Sequence, residues 1–150
     1  MTTDKTLAHN RKARFDYEIL DSFEAGVVLL GTEIKAMREG RANITGAFGR
    51  AQNGELWLMN SHISQYSASG ASSHDPTRPR KLLMHKDQIT RLSQQMAQRG
   101  LALVPLKLYL NRHHAKLELG LGKGRKRSDK RRAIIDRIRE NEAKDAITRR

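Results

Sequence analysis

The chain has 150 residues, 37% of them apolar and 30% charged, which fits one domain with a real core beneath a heavily charged surface. A formal net charge of +13 points to polyanionic partners, meaning nucleic acid or an acidic membrane face. Cysteine is absent, which excludes disulfides, thiolate zinc sites and cysteine nucleophiles and suits a reducing compartment.

Residues 1–9 are polar and read as frayed. They include no apolar segment of the secretory kind. In "RFDYEIL" (14–20), Phe15, Tyr17 and Ile19 alternate, which predicts a strand, and "FEAGVVLL" (23–30) predicts a second. The run "AGVVLLG" is far shorter than the ~20 residues of a membrane span, so the sequence predicts a soluble, cytoplasmic protein. "EIKAMREG" (33–40) follows as a short helix, with Thr32 as N-cap, Gly40 as stop, and Lys35 and Arg38 on its polar side.

"ANITGAFGRAQ" (42–52) predicts a strand that turns through "NGE" into "LWLMN" (56–60). Residues 64–81, rich in Ser, Gly and Pro, form a loop long enough to be functional or disordered. Ile89, Leu92 and Met96 make "HKDQITRLSQQMAQRG" (85–100) an amphipathic helix ended by Gly100. "LALVPLKLYL" (101–110) and "AKLELGLG" (115–122) close the body as a hairpin around a basic turn. About six strands with two to three short helices predict a mainly β fold, a small OB-type closed antiparallel barrel over residues 1–122. A split α+β sandwich is the alternative.

Residues 123–150 are a different polymer, with 12 Lys or Arg against 5 Asp or Glu. Ile134, Ile135 and Ile138 give only a thin apolar stripe, so the tail is expected to be disordered alone and helical on a polyanion. It opens with "GKGRKRSDKRR" (122–132), whose glycines read as a flexible exit from the last strand. Ser128 is placed to cap a helix starting at Asp129.

Catalytic signatures are missing. The six histidines lack metal spacing on a helix, so no metal or cofactor is expected. "GLGKG" has Gly124 where a phosphate-binding loop needs Ser or Thr, and no nucleophile elbow is present. The chain is read as a non-enzyme.

Cationic residues instead gather at Arg11, Lys12 and Arg14, at Lys35, Arg38 and Arg41, at Arg78, Arg80 and Lys81, and through the tail. Such groups contact phosphates strongly and without regard to base sequence. In "DPTRPR", Pro76 and Pro79 hold Arg78 and Arg80 along an extended rod that suits phosphate oxygens; the other reading is a rigid loop whose arginines pair with local acids. Seven aromatics, several in strand patterns, are few for a base-stacking platform, which favours a folded RNA read by shape and backbone.

"NRKARFDYEI", "FEAGVVLLGTEIKAMREGRANI", "HDPTRPRKLL", "LVPLKLY" and "GKGRKRSDKR" together resemble the SsrA-binding protein family (small protein B), from about Asn10 to Arg132. The resemblance implies a non-catalytic adaptor of trans-translation. Its barrel binds the tRNA-like domain of transfer-messenger RNA, one protein per RNA. Its tail enters the empty mRNA channel of a stalled ribosome near the decoding centre, so that the nascent chain is tagged for proteolysis and the ribosome rescued. By motif, the resemblance places Asn10, Arg11, Glu24, Lys35, Arg38, Leu83 and Lys116 on the RNA surface, beside Lys12, Arg78 and Arg80 from the basic clusters. It assigns the ribosomal contact to Lys123, Gly124, Lys126, Asp129, Lys130 and Arg131. The family often carries an aromatic or His before the aspartate; here Ser128 stands there, and Gly122 replaces a usual Ala.

Overall fold

A computed structural model of the chain describes residues 5–66, 74–125 and 127–148. The first half contains β1 (Lys5–His9), α1 (Ala13–Asp16), β2 (Tyr17–Val27), α2 (Gly31–Arg38), β3 (Ala42–Asn43), β4 (Phe48–Gln52) and β5 (Glu55–Met59). The second contains β6 (His62–Ile63), β7 (Arg80–Leu83), α3 (Lys86–Arg99), β8 (Ala102–Asn111), β9 (His114–Gly124) and α4 (Arg127–Thr148). Strands β8, β4, β5, β7, β2 and β9 lie side by side in that order, and β9 pairs back to β8 to close the ring. All these pairings are antiparallel, so the fold is the mainly β, closed OB-type barrel that the pattern predicts. The short sheet β3–β6 lies outside the ring.

Alternation fills the interior. Phe23, Ala25 and Val27 of β2 and Leu117, Leu119 and Leu121 of β9 point inward, with Leu56, Leu58, Leu82, Leu103, Leu108 and Leu110 from the other strands. Ile89 and Leu92 of α3 join this cluster, and Met37 of α2 packs against it at 0% exposure. Gly100 ends α3 at φ 63°, the left-handed cap that glycine adopts without strain. The Asn53–Gly54 turn, with φ of 53° and 76°, joins β4 to β5 as a two-residue hairpin.

A bulge changes the outer face of β8. Between Pro105 and Lys107 the register with β9 slips, so Leu106 and Lys107 both face outward. Before the bulge the outer face is apolar: Val104 and Leu106 pack with Ala13 of α1, Tyr17 and Ile19 as a second small core. Beyond it the outer face carries Lys107 and Tyr109 instead.

Several expectations need correction. Residues 5–9 are not frayed but pair with β8 outside the ring, an alignment supplied by the partner strand rather than by local propensity. Residues 14–16 form the turn of α1, because the Phe15 and Asp16 amides both donate to the Lys12 carbonyl. The two strands expected over 14–20 and 23–30 are one long β2, with a bulge at Leu20 absorbing the phase change. The strand expected over 42–52 is broken into β3 and β4. Two further strands, β6 and β7, interrupt or border the loop.

Helix α2 begins at Gly31, so Thr32 lies inside it; the cap amide of Leu30 is met by the Glu33 carboxylate at 2.8 Å. Strand β9 runs through Gly124, opposite Tyr17, and Arg125 still donates to the Asp16 carbonyl at 2.9 Å. The Gly122 position is no loose exit: a Cβ there would sit 3.1 Å from the Glu18 carbonyl oxygen and the Tyr17 side chain. Helix α4 starts at Arg127, one turn position before Ser128, which is therefore not its cap.

Candidate nucleic-acid interface

The outer face of β7, β2, β9 and β8 carries a band of aligned side chains. Glu24 of β2 is opposite Glu118 of β9, which is opposite Lys107 of β8, which is opposite His9 of β1. One row along, Leu83 of β7 is opposite Gly26, which is opposite Lys116, which is opposite Tyr109. Leu83 is 53% exposed, and its Cβ lies 3.4 Å from where a Cβ on Gly26 would be. The fold thus brings Glu24, Leu83 and Lys116, from three separate motifs, onto one surface.

Within this band the Tyr109 hydroxyl donates to Glu24 Oε2, and Lys116 Nζ lies 3.8 Å from Glu24 Oε1. The Lys107 ammonium sits 4.9 Å from the Tyr109 ring centre. Glu24 and Glu118 face each other directly, a repulsive cross-strand pair that Lys116 and Lys107 flank and offset. Glu24 retains a 57% exposed side chain. A carboxylate so presented accepts from a base amino group or a 2′-hydroxyl, which a lysine cannot do. Lys107 and Tyr109, which no sequence motif singles out, stand in the same band. Their signal was their position, each the period-two outward partner of a residue in "AKLEL".

Beside this band lies a cleft of about 580 Å³ lined by His9, Arg11, Arg14, Lys107, Glu118 and Arg137, among others. Arg11 and Lys12 are exposed at the start of α1. Asn10 differs. It is 6% exposed, and its amide donates to the Pro105 carbonyl at 2.9 Å and to the Ile44 carbonyl at 3.4 Å. It staples the chain after β1 to β8, with little of its side chain left at the surface. Lys35 and Arg38 are exposed on α2, with Lys35 Nζ 5.5 Å from the Tyr66 ring centre.

Arg78 and Arg80 are not a phosphate rod. Arg80 is 0% exposed, and its guanidinium meets Glu33 Oε2 at 2.6 and 2.7 Å, with further bonds to Ser61 and to the Pro76 carbonyl. Arg78 bonds both Glu33 oxygens and the Val28 carbonyl. The local-acid reading holds, because a buried guanidinium needs a buried carboxylate. Burial alone would raise the Glu33 carboxyl, but bonds from Arg78 and the Leu30 amide and the charge of Arg80 outweigh it and hold it below its ordinary value. Burial pulls Arg80 down, and Glu33 pushes it partly back. Thr32 adds a second tie: His74 Nε2 lies 2.8 Å from the Ile63 carbonyl, so it carries the proton, and Nδ1 accepts from the Thr32 hydroxyl at 3.0 Å. Residues 67–73 of the serine-rich loop lie outside the described residues.

Lys123 pairs opposite Glu18 in β9, and Gly124 ends that strand. Arg131 is exposed on α4. Lys126 lies outside the described residues, as do the side chains of Asp129 and Lys130. Ile134, Ile135 and Ile138 are 45%, 48% and 51% exposed. No three or more His, Asp or Glu among the described residues could hold a metal, and no described helix is long and apolar enough to cross a membrane.

The sequence model of a family described as SmpB protein matches residues 7–149. A protein of Carboxydothermus hydrogenoformans named SsrA-binding protein is 51% identical over 144 residues, 96% of this chain and 97% of that one. Another of that name, from Desulforudis audaxviator, is 52% identical over 139 residues, 93% of this chain and 91% of that one. A chain in a solved structure described as tmRNA-SmpB on a journey to the center of the bacterial ribosome superposes with a TM-score of 0.68. It is 46% identical and covers 84% of this chain and 92% of its own.

Proposed function

The chain belongs to the SmpB protein family, and on that premise we propose that it is the RNA-binding adaptor of trans-translation. It binds transfer-messenger RNA and carries it to stalled ribosomes, where the nascent chain is tagged for proteolysis. The reading assigns it no reaction of its own.

The observation that carries the reading is the convergence of Glu24, Leu83 and Lys116 on one barrel face. An exposed carboxylate, an exposed leucine and an ammonium side by side suit recognition of a folded RNA better than a uniform cationic patch does, because only phosphates are read by charge alone. Arg11, Lys12, Lys35 and Arg38 are exposed and extend that surface with phosphate contacts. In this reading the tail from Arg125 onward, with Arg131 on α4, enters the empty mRNA channel, while Lys123 and Gly124 belong to the barrel's last strand. The tail is helical on the ribosome and loosely structured as a free peptide.

Competition tests the reading. The protein should hold transfer-messenger RNA against excess bulk tRNA and duplex RNA at moderate salt. Equal competition by all three would reduce it to a generic basic module. Cutting the chain after Arg125 should spare most RNA affinity and abolish tagging; loss of affinity in proportion to charge would make the tail an electrostatic anchor only.

A further inference from the structure

We infer that Tyr109 is a positioning residue for RNA recognition: its hydroxyl fixes the Glu24 carboxylate so that one face of that group is presented to the RNA. This rests on the proposed function above and names how its carboxylate is set. The sequence motifs point to Glu24 and Lys116 but leave Glu24 as a flexible side chain, 57% exposed, on an outer strand surface. A free glutamate there would sample several rotamers and pay to be immobilised on binding.

The fold supplies the missing constraint from two strands away. Tyr109 lies on β8, Lys116 on β9 and Glu24 on β2, so the phenol reaches across β9 to Glu24. Gly26, next outward on β2 and in the same row as Lys116, adds no side chain to obstruct that reach. The bulge at Leu106 is what turns Tyr109 outward. The ring is held in turn: Tyr109 is 5% exposed, and Lys107 lies 4.9 Å from its centre. Glu24 Oε2 is taken by the hydroxyl, and Oε1 faces Lys116 at 3.8 Å, with lone pairs left toward solvent. An aromatic ring beside a nucleic-acid site is ordinarily read as a base-stacking surface. A ring this buried acts through its hydroxyl instead.

The test is a double-mutant cycle on the full chain, read by binding to transfer-messenger RNA at several salt concentrations. Tyr109→Phe keeps the ring and removes one hydroxyl. It is expected to weaken binding roughly tenfold, the scale of a hydrogen bond to a charged group. Because no cation is lost, the slope of log affinity against log salt should stay as in the wild type, whereas Lys116→Gln should lower it by about one. In a Glu24→Gln background, Tyr109→Phe should add little. Three outcomes overturn the inference: unchanged affinity for Tyr109→Phe, an equal loss on top of Glu24→Gln, or a melting shift large enough to account for the loss. If the wild type shows no preference for transfer-messenger RNA over bulk tRNA, the proposed function fails and takes this inference with it. If that preference stands and Tyr109→Phe is silent, only the inference fails.

Discussion

Glu33 and Glu24 lie nine positions apart, each against basic partners, yet the fold treats them oppositely. Glu33 is 0% exposed and locked by Arg78 and Arg80, so its charge is spent inside the protein, tying α2 to the strand β7. Glu24 stands on the outer face, held from below by Tyr109 and only loosely by Lys116, with its charge turned outward. The lesson is that an acid beside cations has no fixed meaning in sequence. Closed on all sides it is architecture; open on one side it keeps lone pairs for a partner, the role proposed for Glu24.

That contrast breaks most sharply in stability. Glu33→Ala strands two guanidinium groups, one fully buried, and should cost about 3–5 kcal/mol in denaturant unfolding. Glu24→Arg and Lys116→Glu should leave stability within about 0.5 kcal/mol, as surface changes do. They should instead weaken binding of transfer-messenger RNA by about 1–3 kcal/mol, measured by titration. A large melting shift for Glu24→Arg, or none for Glu33→Ala, would reverse the assignment of the two acids.

Acid should weaken the buried pairing. The folded-state value of Glu33 is depressed, so its stabilising contribution is fully present above its ordinary value of 4.5 and fades as pH falls through the lower folded value. Glu33→Gln should therefore flatten the acid limb of a stability–pH curve. The smallest effect concerns the tail. The described side chains of α4 are exposed, so ending the chain after Arg125 should shift unfolding by less than about 1 kcal/mol. Ending it after Gly122 should cost more, because Lys123 and Gly124 pair with Glu18 and Tyr17.

The strands around Leu56, Leu117 and Leu119 were legible because their apolar residues alternate and the inside of a barrel accepts only that pattern. So were the exposed cations of α2, which follow from helix period. Arg80 was not, because its partner Glu33 is 47 residues away and nothing local marks an arginine as buried. The burial of Asn10 was hidden for the same reason: its bond to Pro105 spans 95 residues. Residues 5–9 carry little strand propensity, and their strand exists because β8 offers an edge. The outward turn of Tyr109 depends on a one-residue slip between strands, which no single-strand pattern can show.

The ring is joined unevenly. From β2 through β9 to β8 the pairing runs for most of each strand, whereas β4 meets β8 at the single pair Gly49–Leu103. A Cβ on Gly49 would fall 2.7 Å from Leu103 Cδ2 and 3.2 Å from its Cβ, so a larger residue at that narrow closure would push the buried Leu103 side chain aside. The barrel therefore resembles a zipped band with two narrow joins, the other being the two pairs Gly26–Leu83 and Val27–Leu82 between β2 and β7. Amide exchange should be slowest along β9 and fastest beside Gly49, where the ring can part without disturbing the face that carries Glu24.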